Sequence, residues 1–232
     1  MIATFADDTA ILSSSILPTA ASERLQSGLD KIQKWLKTWR IKANESKSVP
    51  VTFTTRRETC PTVTLNNTTL TQATSAKYLG IHLDRRLTWQ KHISSKHKQL
   101  RLKLSKIYWL IGRNSQLSLE NKILLYKSIL KPIWTYGIEL WGTASNSNIE
   151  ILERFQSKVL RAIVNAPFYV RNTTISNDLQ ICSVTEEIVT SSRNYHNRLA
   201  KHPNTLINRM LNNGESIRRL KRFKPTDLPN RF

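Results

Sequence analysis

The chain opens with MIATFADDTAILSSS, residues 1–15, and the two aspartates in its centre decide how the rest is read. Ile2 to Phe5 and Thr9 to Leu12 read as short strands, which puts Asp7 and Asp8 at the turn between them. Two like charges at one tip have two explanations. Aspartate is a good turn and cap residue in its own right. Paired carboxylates also present the hard oxygen ligands that a divalent cation prefers. In isolation, turn chemistry is the commoner explanation, so the separation has to come from the remaining sequence.

The whole chain bounds the choice. Its 232 residues, 39% of them hydrophobic, suffice for one large domain or two small ones with a real core. No apolar run approaches the roughly 18 residues of a membrane helix. The acidic N-terminus lacks the basic lead of a signal peptide, so the acceptor patterns at Asn44, Asn66, Asn67 and Asn172 are expected to be silent. Cys60 and Cys182 are the only cysteines, and with the scattered histidines they give no zinc spacing. The formal net charge is +20, which attracts polyanions at long range. Nucleic acid is the favoured partner, and a merely solvated basic face is the alternative. Between residues 91 and 131 the only acid is Glu120. Against it stand Lys91, Lys96, Lys98, Arg101, Lys103, Lys106, Arg113, Lys122, Lys127 and Lys131. A second cluster, Arg218, Arg219, Lys221, Arg222 and Lys224, reads as a nuclear import signal, a nucleic-acid patch or neither.

Beyond the first hairpin, Ser22 is placed to cap a helix running to about Thr38, with Leu25, Leu29, Ile32 and Leu36 on one face. Trp35 and Trp39 lie beside that stripe and are expected to pack rather than to stack on bases. VPVTFTT, residues 49–55, reads as a strand with an irregular start at Pro50. TVTLNNTTL, 62–70, reads as a hairpin turning at Asn66-Asn67. AKYLGIHLD, 76–84, reads as another strand segment, in which Gly80 suggests a bulge or a close backbone approach. From Thr88 the pattern turns helical: Ile93, His97, Leu100, Leu104, Ile107 and Ile111 form a core stripe, leaving the basic residues for phosphates. A second helix is expected to end at Pro132, a third to span about 148–164 and a fourth about 184–201. Trp134, Tyr136, Trp141 and Phe155 are expected in the core rather than on bases. The fold class is α+β, strands and one helix to about residue 87 and helices thereafter.

Several stretches resemble one family in the right order. FADDTAIL at 5–12 is similar to the Y/F-A-D-D motif of reverse transcriptases. Trp35 on its helix, then Asn44-Glu-Ser-Lys47-Ser48 and Phe53, resembles the following motif of retrotransposon polymerases, Asn-x-x-Lys-Ser/Thr before a strand. KYLGIHLD at 77–84 resembles the Tyr-Leu-Gly primer-grip segment, and LTWQKHI at 87–93 the entry to the thumb. KPIWTYGIELWG, LERFQSKVLRAI, YHNRL and the DLPNRF ending also resemble this family. The resemblance covers essentially the whole chain and points to the C-terminal half of non-LTR retrotransposon reverse transcriptases of the arthropod jockey and X-element type.

The resemblance implies a partial palm at 1–87, a helical thumb at 88–132 and a helical C-terminal region with a basic tail at 133–232. It implies RNA-directed DNA polymerisation, with an RNA template, a DNA primer and a dNTP as partners, in the nucleus. Asp7 and Asp8 become metal ligands, two Mg²⁺ (or Mn²⁺) ions serving the complete enzyme. Lys47 becomes a stabiliser or proton donor near the leaving pyrophosphate, or stays an ordinary loop lysine. Tyr78, Leu79 and Gly80 position the primer, and Lys91, Lys98, Arg101, Lys103 and Lys106 meet nucleic acid. The family takes a third carboxylate from a strand upstream of the Asp pair. Asp7 stands too near Met1 for that strand, so the chain is expected to be inactive alone. The alternative is a non-catalytic basic transposon remnant that only binds nucleic acid. The acids after residue 145 show no ribonuclease H pattern.

Overall fold

The computed structural model describes residues 1–204, 220 and 222–231. The chain forms two compact units, Met1–Leu87 and Thr88–Phe232. Both belong to an α+β chain, and among the described residues the strands all lie in the first unit.

Three antiparallel hairpins make up the strand content of that unit. Strands β1 (Ile2–Phe5) and β2 (Asp8–Ile11) pair with Phe5 opposite Asp8, so Ala6 and Asp7 form the two-residue turn. β3 (Thr64–Leu65) and β4 (Thr68–Thr69) turn at Asn66-Asn67, both with positive φ, 49° and 61°. Asparagine tolerates that left-handed region better than most residues, which is why the pair reads correctly as a turn. Helix α1 (Pro18–Thr38) starts four residues before the expected Ser22, because Pro18 is preorganised for a first helical turn. Ser22 is instead buried and donates to the Pro61 carbonyl at 2.9 Å. Leu29 packs with Val63, Leu65 and Leu70 into a small core that Ile11, Leu25 and Ala43 extend.

Three expectations fail in this unit. Residues 49–55 form no strand: only isolated bonds flank them, Ala73 N–H to the Pro50 carbonyl and Thr54 N–H to the Arg85 carbonyl. Proline at position 50 removes a ladder donor, and no regular pairing survives beside it. Residues 76–84 are not one bulged strand but a hairpin, β5 (Ser75–Tyr78) and β6 (Ile81–Asp84), turning at Leu79-Gly80 with φ of 45° and 76°. Trp35 and Trp39 do not pack inside: they are 54% and 65% exposed, with ring centroids 6.3 Å apart.

The second unit is helical. α2 (Gln90–Ile111) buries Ile93, Leu100 and Ile111 of the expected stripe, with His97 half-buried. α3 (Leu119–Leu125) passes through a π-helical turn, Tyr126–Leu130, into α4 (Lys131–Thr135). Pro132 therefore does not end the helix. The Lys131 N–H reaches the Tyr126 carbonyl, five residues back, and this widened turn relieves the clash a proline ring makes with a preceding carbonyl. α5 (Ile138–Trp141) follows, then α6 (Asn146–Ile163), α7 (Asn172–Asp178) and α8 (Val184–Ala200). α6 packs against α2, α7 and α8, and its buried face carries Ile149, Leu152, Phe155, Val159, Leu160 and Ile163. Trp134, Trp141 and Phe155 are buried as expected, whereas Tyr136 is exposed beneath the Lys96 ammonium, 5.1 Å from its ring centre. A 3₁₀ turn, Pro225–Asn230, returns the chain to this core and buries Leu228 completely.

Candidate functional site

The hairpin forms as expected, but its turn is Ala6-Asp7, one residue earlier than the Asp7-Asp8 turn read from the sequence. A two-residue turn needs backbone near the left-handed region, and Ala6 supplies it with φ of 50°. Asp7 is the second turn residue and Asp8 the first residue of β2. Both are exposed. Their donor chemistry suits a hard divalent cation. Among the described residues, however, no group of three or more His, Cys, Asp or Glu side chains is arranged to hold a metal.

Lys47 closes a 3₁₀ turn, Glu45–Lys47, that Asn44 organises. The Asn44 side-chain oxygen accepts from the Lys47 N–H at 3.2 Å and from the Ser46 hydroxyl at 2.7 Å, while the Ser48 hydroxyl donates to the Asn44 carbonyl at 2.8 Å. The Asn-x-x-Lys-Ser spacing is thus a capped turn. Glu45 fastens that turn to the β3–β4 tip by accepting from Asn66 Nδ2, and this hydrogen bond holds its carboxyl below the usual range. The Lys47 side chain is exposed, and no hydrogen bond or ion pair joins it to Asp7 or Asp8. Tyr78, Leu79 and Gly80 come together as the end of β5 and the tip of the β5–β6 hairpin.

In the second unit, Lys91, Lys98, Arg101, Lys103 and Lys106 are all exposed along the solvent side of α2. At 100° per residue Lys91, Lys98 and Lys106 lie around the pole opposite Ile93 and Leu100, with Arg101 and Lys103 on its two flanks. Sequence reasoning passed over two residues in the middle of this face, Leu102 and Trp109, which are 58% and 74% exposed. A helical wheel centred on Lys98 reveals them. His97 links this helix to α6: its ring meets Phe155 edge-on at 5.9 Å. Burial lowers its pKa, and the positive charges of Arg101 and Lys158 lower it further. Not every cation of the basic stretch faces outward. Lys122 is buried and donates to the Gly112 and Ser115 carbonyls, and Lys131 pairs with Glu187 at 2.9 Å. Of the second cluster, Arg218, Arg219 and Lys221 lie outside the described residues. No helix among the described residues is long and apolar enough to cross a membrane.

The molecule is thus a strongly basic α+β chain with two aspartates on a hairpin tip and a cationic helix in a separate unit. Its relatives say more. It is 42% identical over 231 residues, 100% of this chain to the nearest per cent, to a probable RNA-directed DNA polymerase from transposon X-element of Drosophila melanogaster. It is 39% identical over 239 residues to the RNA-directed DNA polymerase from mobile element jockey of the same fly, covering 99% of this chain. A probable RNA-directed DNA polymerase from transposon BS is 37% identical over 96% of the chain. Along its whole length the chain is similar to the RNA-directed DNA polymerases of these transposons. It spans about a quarter of the length of these curated relatives, 25% to 26%. No family model and no solved structure matches it.

Proposed function

We propose that this chain carries the palm and thumb portion of an RNA-directed DNA polymerase of a non-LTR retrotransposon, and that alone it binds nucleic acid without extending a primer. The observation that carries the reading is identity along the entire chain to polymerases of that name, with the FADD aspartates on a hairpin tip. In this reading residues 1–87 belong to the palm, 88–132 to the thumb and 133–232 to a supporting helical region. Asp7 and Asp8 hold Mg²⁺ or Mn²⁺, which when bound stabilises the attacking and leaving oxygens of an in-line displacement. Asp7 is the main ligand and Asp8 a weaker or supporting one, since successive strand residues face opposite ways. Lys47, on its Asn44-capped turn, faces the departing pyrophosphate, and the Tyr78-Leu79-Gly80 tip positions the primer. The exposed cations of α2 track the backbone of an RNA template paired to a DNA primer, while dNTP enters at the hairpin. The reading places the protein in the nucleus.

Inactivity of the chain alone follows from the ligand count. Two carboxylates with no third ligating group among the described residues hold a cation loosely, and small errors of placement cost large factors in rate. A second reading, a non-catalytic nucleic-acid-binding remnant, is favoured by the α2 face, which needs nothing from Asp7 or Asp8. The test is primer extension on an RNA template with Mg²⁺, the parent beside an Asp7→Ala/Asp8→Ala variant. The expected result is no extension by either and binding by both that weakens steeply with salt. Extension by the parent alone overturns the inactivity. Salt-independent binding overturns both readings.

A further inference from the structure

The connection between α6 and α7 is built against the usual chemistry of turns. Its tip is a β-turn closed by the Val170 N–H donating to the Pro167 carbonyl at 3.2 Å, and the two central residues are Phe168 and Tyr169. Such positions ordinarily take Gly, Asn, Asp, Ser or Pro. Here two aromatic side chains stand 93% and 74% exposed, in edge-on contact at 5.7 Å. Single exposed apolar residues are common and need no explanation, but an adjacent aromatic pair at a turn tip does.

The turn is also pinned. The Arg161 guanidinium, on the last turns of α6, donates to the Pro167 carbonyl at 2.7 Å, the Val170 carbonyl at 2.7 Å and the Asn172 side-chain oxygen at 2.6 Å. Three charge-assisted bonds from one planar group hold both ends of the turn, so the rings are presented on a fixed backbone at little entropic cost. The surroundings are cationic. From residue 154 to residue 171 there is no acid, and Arg154, Lys158 and Arg171 are exposed. Arg154 and Lys158 fall at i and i+4 on one side of α6. Lys158 is exposed three residues after Phe155, the α6 ring that meets His97 of α2, so the basic surface of α2 continues onto this helix.

We propose that Phe168 and Tyr169 form a stacking platform for the bases of a single-stranded nucleic acid, with Lys158 and Arg171 taking the flanking phosphates. Aromatic faces accept any base and combine with a cationic track in just this way, whereas a protein partner would have to bring acidic groups to so basic a rim. Bases in a duplex are already stacked and cannot use the platform. The site deepens the nucleic-acid reading above and rests on it. It gives the region after residue 133 a contact of its own.

The experiment compares the full chain with its Phe168→Ala/Tyr169→Ala variant, using fluorescently labelled 20-nucleotide single strands and the corresponding duplex across a salt series. Both side chains are exposed, so folding is preserved, and circular dichroism checks this. The expected result is a loss of about tenfold or more in single-strand affinity, since stacking on one aromatic contributes roughly 5- to 150-fold. Duplex affinity and the salt slope stay unchanged, because the phosphate contacts remain. Unchanged single-strand affinity, or an equal loss for duplex, overturns the platform. A variant that instead loses self-association assigns the pair to a protein interface and also overturns it. Failure of the parent to bind any nucleic acid would sink the broader reading, which keeps the two outcomes apart.

Discussion

The indole of Trp89 donates to the hydroxyl of Thr143 at 2.8 Å, and both residues are buried. The bond ties the residue that launches α2 to the end of α5. Trp89 itself holds φ of 64°, a strained value for a bulky residue that the surrounding contacts must sustain. Thr143 also donates onward to the Leu140 carbonyl at 2.7 Å. Thr143→Val keeps the volume and removes both bonds. It is expected to lower unfolding free energy by about 1–3 kcal/mol, read as a shifted urea midpoint with unchanged slope.

A second prediction concerns alkaline pH. Tyr126 is buried, donates to Gln156 Oε1 at 3.0 Å, and Gln156 in turn donates to the Cys182 carbonyl at 2.8 Å. Burial raises the phenol pKa well above its ordinary 10.0, and the nearby carboxylates of Glu187 and Glu153 push the same way. A folded-state pKa above the unfolded one means that the unfolded chain loses the proton first. The associated stability is full below pH 10 and is lost as pH rises beyond it. Tyr126→Phe is expected to cost about 1 kcal/mol at neutral pH and to flatten the alkaline limb of a stability profile. An alkaline limb as steep as the parent's would show that other groups carry it.

The acid side has the opposite sign. His97 has a pKa lowered by burial and by Arg101 and Lys158, so the unfolded chain takes up its proton first. Stability from this group is present above pH 6.5 and declines as pH falls through that value. Phosphate bound beside Arg101 and Lys158 offsets the repulsion. Nucleic-acid binding is therefore expected to raise the His97 pKa, which NMR titration of its ring protons with and without oligonucleotide can read. An unmoved resonance would mean that phosphate does not sit on this part of the α2 and α6 surface.

Local chemistry explains which parts of this fold were legible. The Asn66-Asn67 turn was readable because asparagine tolerates positive φ; the first hairpin was readable too, but its turn begins one residue earlier, at Ala6, because alanine at positive φ carries no turn signal. The α2 stripe was readable because its periodicity is long. Leu79-Gly80 was read as a bulge, since leucine at positive φ carries no turn signal of its own. Pro132 was read as a stop because nothing in the sequence announces the π-helical turn that absorbs it. α7 was missed: it has seven residues and buries only Ile175. The Arg161 and Arg231 clamps were invisible for another reason. One more arginine in so basic a chain is unremarked until its carbonyl partners, distant or irregular, are in place.

Arg231 provides the last prediction. Its guanidinium donates to the Gly142 and Ala144 carbonyls, each at 2.6 Å, and lies over the Phe223 ring at 4.5 Å. These contacts hold the Pro225–Asn230 turn against α8 and α5, with Leu228 fully buried beneath it. Gly142 is required at that contact: a Cβ there would lie 2.8 Å from Ile188 Cγ2 and 3.3 Å from Leu228 Cδ1. Leu228→Ala is expected to cost about 2–5 kcal/mol through the cavity it leaves. Arg231→Ala should cost less, about 2 kcal/mol, because the turn keeps its apolar anchor. Limited proteolysis separates the two effects. If the DLPNRF ending is a structural latch, both variants are digested faster than the parent while retaining their nucleic-acid affinity at matched folded fraction. If either variant loses affinity while protease resistance is unchanged, the ending contacts nucleic acid directly and its latch role is wrong.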